Sequence, residues 1–164
     1  MNIIKKEDLK TISLVNKKGS ELEVLNYGAA LLSFKIKDKR ENPVNVVVSP
    51  WAEDFITSVY KDHNKCFGAS VGRYAGRISK GEFKLDETTY KLFEKDDVHL
   101  HGGKEGFQYK IWEIKEENTA PNPSVTLAYL SKDNEEYYPG NLEVEVKYTL
   151  TEDNEIQIEY SAQT

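Results

Sequence analysis

The chain has 164 residues, a formal net charge of −6 and 30% charged side chains, which is the size of one domain (residues 1–164) with an acidic, well-solvated surface. That balance argues against a nucleic-acid partner, which needs a basic face for phosphate, and no apolar run reaches the ~20 residues of a membrane span, so no membrane partner is expected either. The opening residues, MNIIKKEDLK, hold no apolar signal core, and a single cysteine, Cys66, cannot form an internal disulfide, so a reducing, cytoplasmic setting is expected.

The first half reads as short strands. Residues 11–16 and 21–26 flank the turn-forming Lys17-Lys18-Gly19-Ser20. Tyr27-Gly28-Ala29-Ala30 is a break made of small residues. Residues 31–37 place Leu32, Phe34 and Ile36 on one face. Glu41-Asn42-Pro43 turns the chain into residues 44–48, a β-branched run of the kind that forms a buried strand. Residues 50–65 are irregular and hold Trp51, Phe55, Tyr60 and His63, with room for a short helix.

A hairpin is predicted next, with residues 81–85 and 89–93 flanking Asp86-Glu87-Thr88. Residues 110–115 alternate, setting Trp112 and Ile114 against Ile111, Glu113 and Lys115. Pro121 and Pro123 bar a helix from the loop at 120–123. Residues 124–130 form a strand with Val125, Leu127 and Tyr129 on one face. The clearest pattern comes last. Leu142, Val144, Val146, Tyr148 and Leu150 alternate with charged or polar residues, and Ile156, Ile158 and Tyr160 do the same after the loop at 151–154. One apolar and one charged face is the mark of antiparallel strands with one wet side. No helical period persists over ten residues. The fold class is all-β, an antiparallel sandwich or barrel. The chain stops at Ser161-Ala162-Gln163-Thr164, straight after a strong strand, so the sandwich is expected to be incomplete.

The stretch from Cys66 to Gly103 concentrates the chemistry. Gly68, Gly72, Gly76, Gly81, Gly102 and Gly103 let backbone approach backbone or ligand closely. Arg73 and Arg77 lie among them, each offering five donors on a permanent charge. His101, beside the glycine pair, can exchange a proton near neutral pH. Cys66 reads as a small core residue, since no histidine pairs with it in a nucleophile motif.

These residues resemble the aldose 1-epimerase (galactose mutarotase) family. Gly72-Arg73-Tyr74-Ala75-Gly76-Arg77-Ile78 is similar to its GR-x-A-N-R-I element, and Leu100-His101-Gly102-Gly103 to its LHGG. The hairpin between them and Tyr138-Pro139-Gly140-Asn141-Leu142, similar to YPG-x-L, follow in the family's order. Glu53-Asp54-Phe55 and Tyr60 lie where the family has a similar loop. The resemblance implies a galactose mutarotase-like supersandwich that binds a hexose, such as galactose or glucose, on one sheet face. It implies interconversion of α and β anomers by acid–base ring opening, with no metal or organic cofactor. It makes Arg77 a holder of sugar hydroxyls, His101 a sugar-positioning catalytic histidine, and Arg73 either a substrate ligand or a loop brace. Gly76 and Val98 stand where the family often has asparagine. The family's second histidine and its glutamate base have no counterpart in these residues, so weak or absent turnover is expected of this chain alone.

Two other readings stand beside it. A non-catalytic sugar-binding module that completes its sandwich as a homodimer would use an exposed sheet edge. A cupin-like metal site would draw on His99 and His101, at i and i+2 on one side of a strand, with Glu105 and His63. The acidic face of Glu143, Glu145, Glu155 and Glu159 reads as solvated, and the aromatic residues as core, with one or two free to stack on a sugar.

Overall fold

The computed structural model describes residues 4–50, 54 and 66–164. The predicted loop at 50–65, with Trp51, Phe55, Tyr60 and His63, lies almost wholly outside the described residues. Four antiparallel strands come first and pair in chain order: β1 (Thr11–Val15), β2 (Glu21–Leu25), β3 (Ala30–Lys37) and β4 (Pro43–Asn45). Two short ribbons follow. β5 (Arg77–Ser79) pairs with β8 (Val98–Leu100), and between them β6 (Glu82–Leu85) pairs with β7 (Thr88–Lys91) as a hairpin. β9 (Glu113–Asn118), β10 (Ser124–Ser131), β11 (Leu142–Leu150) and β12 (Ile156–Gln163) close the chain as a second antiparallel sheet, also in sequential order. No α-helix occurs among the described residues, and none is long and apolar enough to cross a membrane.

The alternation in the sequence becomes the packing. Ile12, Leu14, Leu22, Val24 and Phe34 of the first sheet meet Val125, Leu127, Val146, Tyr148 and Leu150 of the second in one core, with Phe107 and Trp112 wedged between. Burying one such side chain stabilises the fold by roughly 1.5–3 kcal/mol. Tyr148 satisfies its hydroxyl by donating to the carbonyl of Ala29 at 2.7 Å, so the ring can be buried without an orphaned polar atom. Asn16 staples the two sheets at one end. Its Nδ2 donates to Thr151 O at 2.8 Å, while its Oδ1 accepts the N–H groups of Lys18 and Ser20. It belongs to the β1–β2 turn rather than to the strand expected to include it.

Two expectations fail for a shared reason. Residues 44–48 form no buried strand. Only Pro43–Asn45 pairs, at the sheet edge, and Val44, Val46 and Val48 are exposed. Likewise β12 has its apolar residues in register with the buried face of β11, Ile158 opposite Tyr148 and Tyr160 opposite Val146, yet both are about half exposed. Period and branching specify a strand and its faces; they do not say whether anything covers those faces.

The small-residue break does position the site. Gly28 N–H donates to Lys110 O at 2.7 Å, Ser70 N–H to Gly28 O at 2.8 Å, and Leu31 N–H to Gly68 O at 2.9 Å. A side chain at 28 would place a carbon 2.8 Å from Gln108 O. The break is thus the dock where the glycine-rich stretch and the 107–111 segment meet the first sheet, over a second apolar cluster of Leu25, Tyr27, Ala30 and Tyr109.

Candidate functional site

The β5–β8 ribbon carries the predicted site. Arg77 lies opposite Leu100 and Ile78 opposite His99. His101 follows in the left-handed region, at φ 49°. Its N–H donates to Gly76 O at 2.9 Å, and its ring Nδ1 accepts the Gly76 N–H at 3.1 Å. An Nδ1 that accepts must be unprotonated, so the neutral ring carries its proton on Nε2. That Nε2 has no hydrogen-bond partner among the described residues. His101 is therefore a fixed donor, aligned by the Gly76 backbone across the ribbon.

The glycine pair is explained by contact. At Gly102, with φ +80°, an added Cβ would fall 1.5 Å from Gly72 O. The same carbonyl accepts the Phe107 N–H at 3.2 Å. Two loops therefore pass with no room for side chains, and the His101 loop is held at both ends. Gln108, fully buried, donates from Nε2 to His101 O at 3.2 Å. Glu136 accepts the N–H of Lys104 at 2.9 Å and of Glu105 at 3.0 Å, one on each carboxylate oxygen. Neither Gln108 nor Glu136 belongs to a recognisable motif, and nothing in the sequence marks them.

Arg73 is spent on the chain itself. Nε donates to Ser131 Oγ at 2.8 Å and Nη1 to Pro139 O at 3.0 Å; Nη2 donates to the carbonyls of Ser131, Lys132 and Gly140 at 2.8–3.0 Å. Its guanidinium also lies 5.7 Å from the centre of the Tyr138 ring. Of the two roles expected for Arg73, this geometry supports the brace rather than the substrate ligand. The brace uses four backbone carbonyls and one serine hydroxyl, with no ion pair to Arg73 among the described residues. Behind it, Glu135 accepts from Tyr129 at 2.6 Å, from Ser131 at 2.5 Å and from Lys110 at 3.0 Å. Burial opposes ionisation of Glu135, but these three donors outweigh it and hold its pKa below the ordinary carboxylate value.

His99 is also locked. Its Nδ1 faces Phe93 O at 2.6 Å, and its Nε2 faces the Tyr138 hydroxyl at 2.7 Å. A carbonyl can only accept, so Nδ1 carries the proton and Nε2 accepts from Tyr138. Burial pushes the Tyr138 hydroxyl up to about 12. With both ring nitrogens engaged and the residue 1% exposed, His99 has no lone pair to offer a metal. Among the described residues no group of three His, Cys, Asp or Glu is placed to hold a metal ion. The cupin-like reading loses its first ligand, and with it the paired His99 and His101. Burial raises the Cys66 thiol to about 11, which makes it a poor nucleophile.

Arg77 is the opposite of Arg73. It is exposed, and its guanidinium has neither ion pair nor hydrogen bond among the described residues. It borders two clefts. One, of about 430 Å³, is lined by Phe93, Lys95, Asp96, Val98 and Leu100 among others. The other, of about 340 Å³, is lined by Tyr74, Ile78, Phe83 and Tyr138. The structure thus brings Arg77 and His101 to adjoining positions on one ribbon. The histidine ring turns to Gly76 and lines neither cleft.

The sequence model of the aldose 1-epimerase family matches residues 10–164. The chain belongs to the aldose 1-epimerase family. It is 32% identical over 163 residues to the maltose epimerase of Levilactobacillus brevis, covering 98% of this chain and 46% of that protein. It is 38% identical over 151 residues to the aldose 1-epimerase of Haemophilus influenzae, covering 92% of this chain and 42% of the other. The crystal structure of galactose 1-epimerase from Lactobacillus acidophilus superposes with a TM-score of 0.82 at 28% identity, covering all of this chain and 47% of that one. The chain spans less than half the length of these relatives. The family's motifs also meet in space: Arg73 bonds to Pro139 and Gly140, Tyr138 to His99 and Gly76 to His101, while Gly102 packs against Gly72.

Proposed function

We propose that this chain carries the sugar-positioning part of an aldose 1-epimerase site, with Arg77 and His101 as the hexose ligands. The observation that carries the reading is the Gly76 N–H on His101 Nδ1, which makes Nε2–H a fixed donor on the ribbon that also bears Arg77, whose guanidinium has no partner among the described residues. A cyclic aldose offers hydroxyl and ring oxygens as acceptors, and a permanent cation beside a neutral N–H donor suits them. Anomer interconversion needs a base on the C1 hydroxyl and an acid on the ring oxygen; C1–C2 rotation and reclosure follow ring opening. With Nδ1 occupied, His101 supplies no base here. The chain alone binds hexose weakly and does not accelerate mutarotation. The substrate is a free hexose, and similarity to a maltose epimerase brings a glycosylated aldose into the same class.

The test pairs two measurements. Ligand-observed NMR with glucose and galactose should show binding that His101→Ala and Arg77→Ala each weaken at least fivefold. Polarimetry of fresh α-glucose should show the buffer rate only. Acceleration by this chain, lost in His101→Ala, would overturn the claim of inactivity; binding untouched by either substitution would overturn the site.

A second reading, a homodimer formed through β12, is favoured by one observation. Ile158 and Tyr160 lie half exposed on a strand with an open edge. Sedimentation should then give a dimer that Ile158→Lys dissociates, and a compact monomer at high concentration would dismiss it.

A further inference from the structure

We infer that the cleft lined by Tyr74, Ile78, Phe83 and Tyr138 is a second subsite, and that it takes the glycosyl ring attached to a reducing aldose. The inference rests on the hexose-site reading above. Arg77 borders both clefts, and their volumes of about 430 and 340 Å³ lie at the low end of the roughly 300–1,000 Å³ of small-molecule sites, room for one ring each. Their linings differ in the share of charged groups. The first presents Lys95, Asp96 and Lys104 beside Arg77, groups that bond hydroxyls, together with Phe93, Val98, Leu100 and Tyr109. The second presents three aromatic rings and an isoleucine. An aromatic face carries negative charge density and attracts the C–H hydrogens that a pyranose shows on its apolar side.

The floor of this cleft is rigid before any ligand arrives. Phe83 stacks on Tyr90 at 5.4 Å with 21° between the planes, and lies 6.1 Å from Tyr138. Tyr138 is pinned by its hydroxyl on His99. Tyr74 is 49% exposed. Around Gly76, the residue that aligns His101, an added carbon would meet only the Tyr74 ring, at 3.9 Å. Position 76, where the family often has asparagine, therefore carries no side chain beside the Tyr74 ring, and Arg77 next to it borders both clefts. A preorganised aromatic floor next to a shared cation fits two linked rings better than one.

The experiment measures dissociation constants of glucose and maltose on the 164-residue chain by ligand-observed NMR, for the native protein, Tyr74→Ala and Phe83→Ala. Maltose should bind at least fivefold tighter than glucose, with saturation transferred to the protons of both rings. Tyr74→Ala, a change at an exposed position, should bring the maltose-to-glucose ratio to about one, and Phe83→Ala should lower it as well. Glucose binding with no preference for maltose overturns the second subsite and leaves the hexose site standing. A preference that survives both substitutions also overturns it. Failure of either sugar to bind overturns both readings together.

Discussion

Replacing Arg73 by alanine separates a brace from a ligand. The native guanidinium makes five hydrogen bonds, of which three are partly buried and two exposed. Water can replace the exposed pair, so only the three part-buried bonds are counted, at ~1 kcal/mol net each. The cation over Tyr138 adds about 0.5–1 kcal/mol. The loss is therefore about 3–4 kcal/mol. With a urea m-value of roughly 2 kcal/mol/M for a chain of this size, the midpoint of unfolding should fall by about 1.5–2 M. Arg73→Lys should recover little, because an ammonium cannot span Ser131 Oγ and carbonyls from both ends of the 131–140 loop. Hexose affinity, read on the folded fraction, should change by less than twofold. A midpoint shift under about 0.5 M together with lost sugar binding would refute the bracing argument and return Arg73 to the substrate.

The two histidines should part company in the same assay. His99→Ala strands the Tyr138 hydroxyl and Phe93 O, and should cost about 2–4 kcal/mol. His101→Ala should cost under ~1 kcal/mol while removing sugar binding, because only the Gly76 N–H loses a side-chain partner. Gly102→Ala has no room beside Gly72 O and should yield no folded protein, whereas Gly19→Ala, at φ +77° with nothing within 4 Å, should cost about 1–2 kcal/mol by backbone strain alone. Glu135 has its folded pKa lowered below 4.5, so its contribution is complete above that value and fades as pH falls through the lowered pKa. Urea midpoints from pH 6 to pH 3 should therefore decline less steeply in Glu135→Gln than in the native chain, and parallel declines would contradict the bonding described for Glu135.

What the sequence made readable, and what it hid, follows from the range of the interactions. β11 matches its expected bounds, residues 142–150, because an edge-free strand with one buried face needs only a period of two. The ribbon of β5 and β8 was not foreseen: three residues are too few for a period, and their partners come from across the hairpin. The motif residues could be named from resemblance alone, but their reasons could not. Gly76 meets His101 across 25 positions, His99 meets Tyr138 across 39 and Arg73 meets Pro139 across 66. Each is a bond between a side chain and a group whose identity is invisible in its own neighbourhood, often a bare carbonyl that any residue would supply. A motif of this kind shows one half of each bond. That is why Arg73 and Arg77, four residues apart and chemically identical, read alike in the sequence. Among the described residues, one has all three nitrogens turned onto the chain and the other has none so engaged.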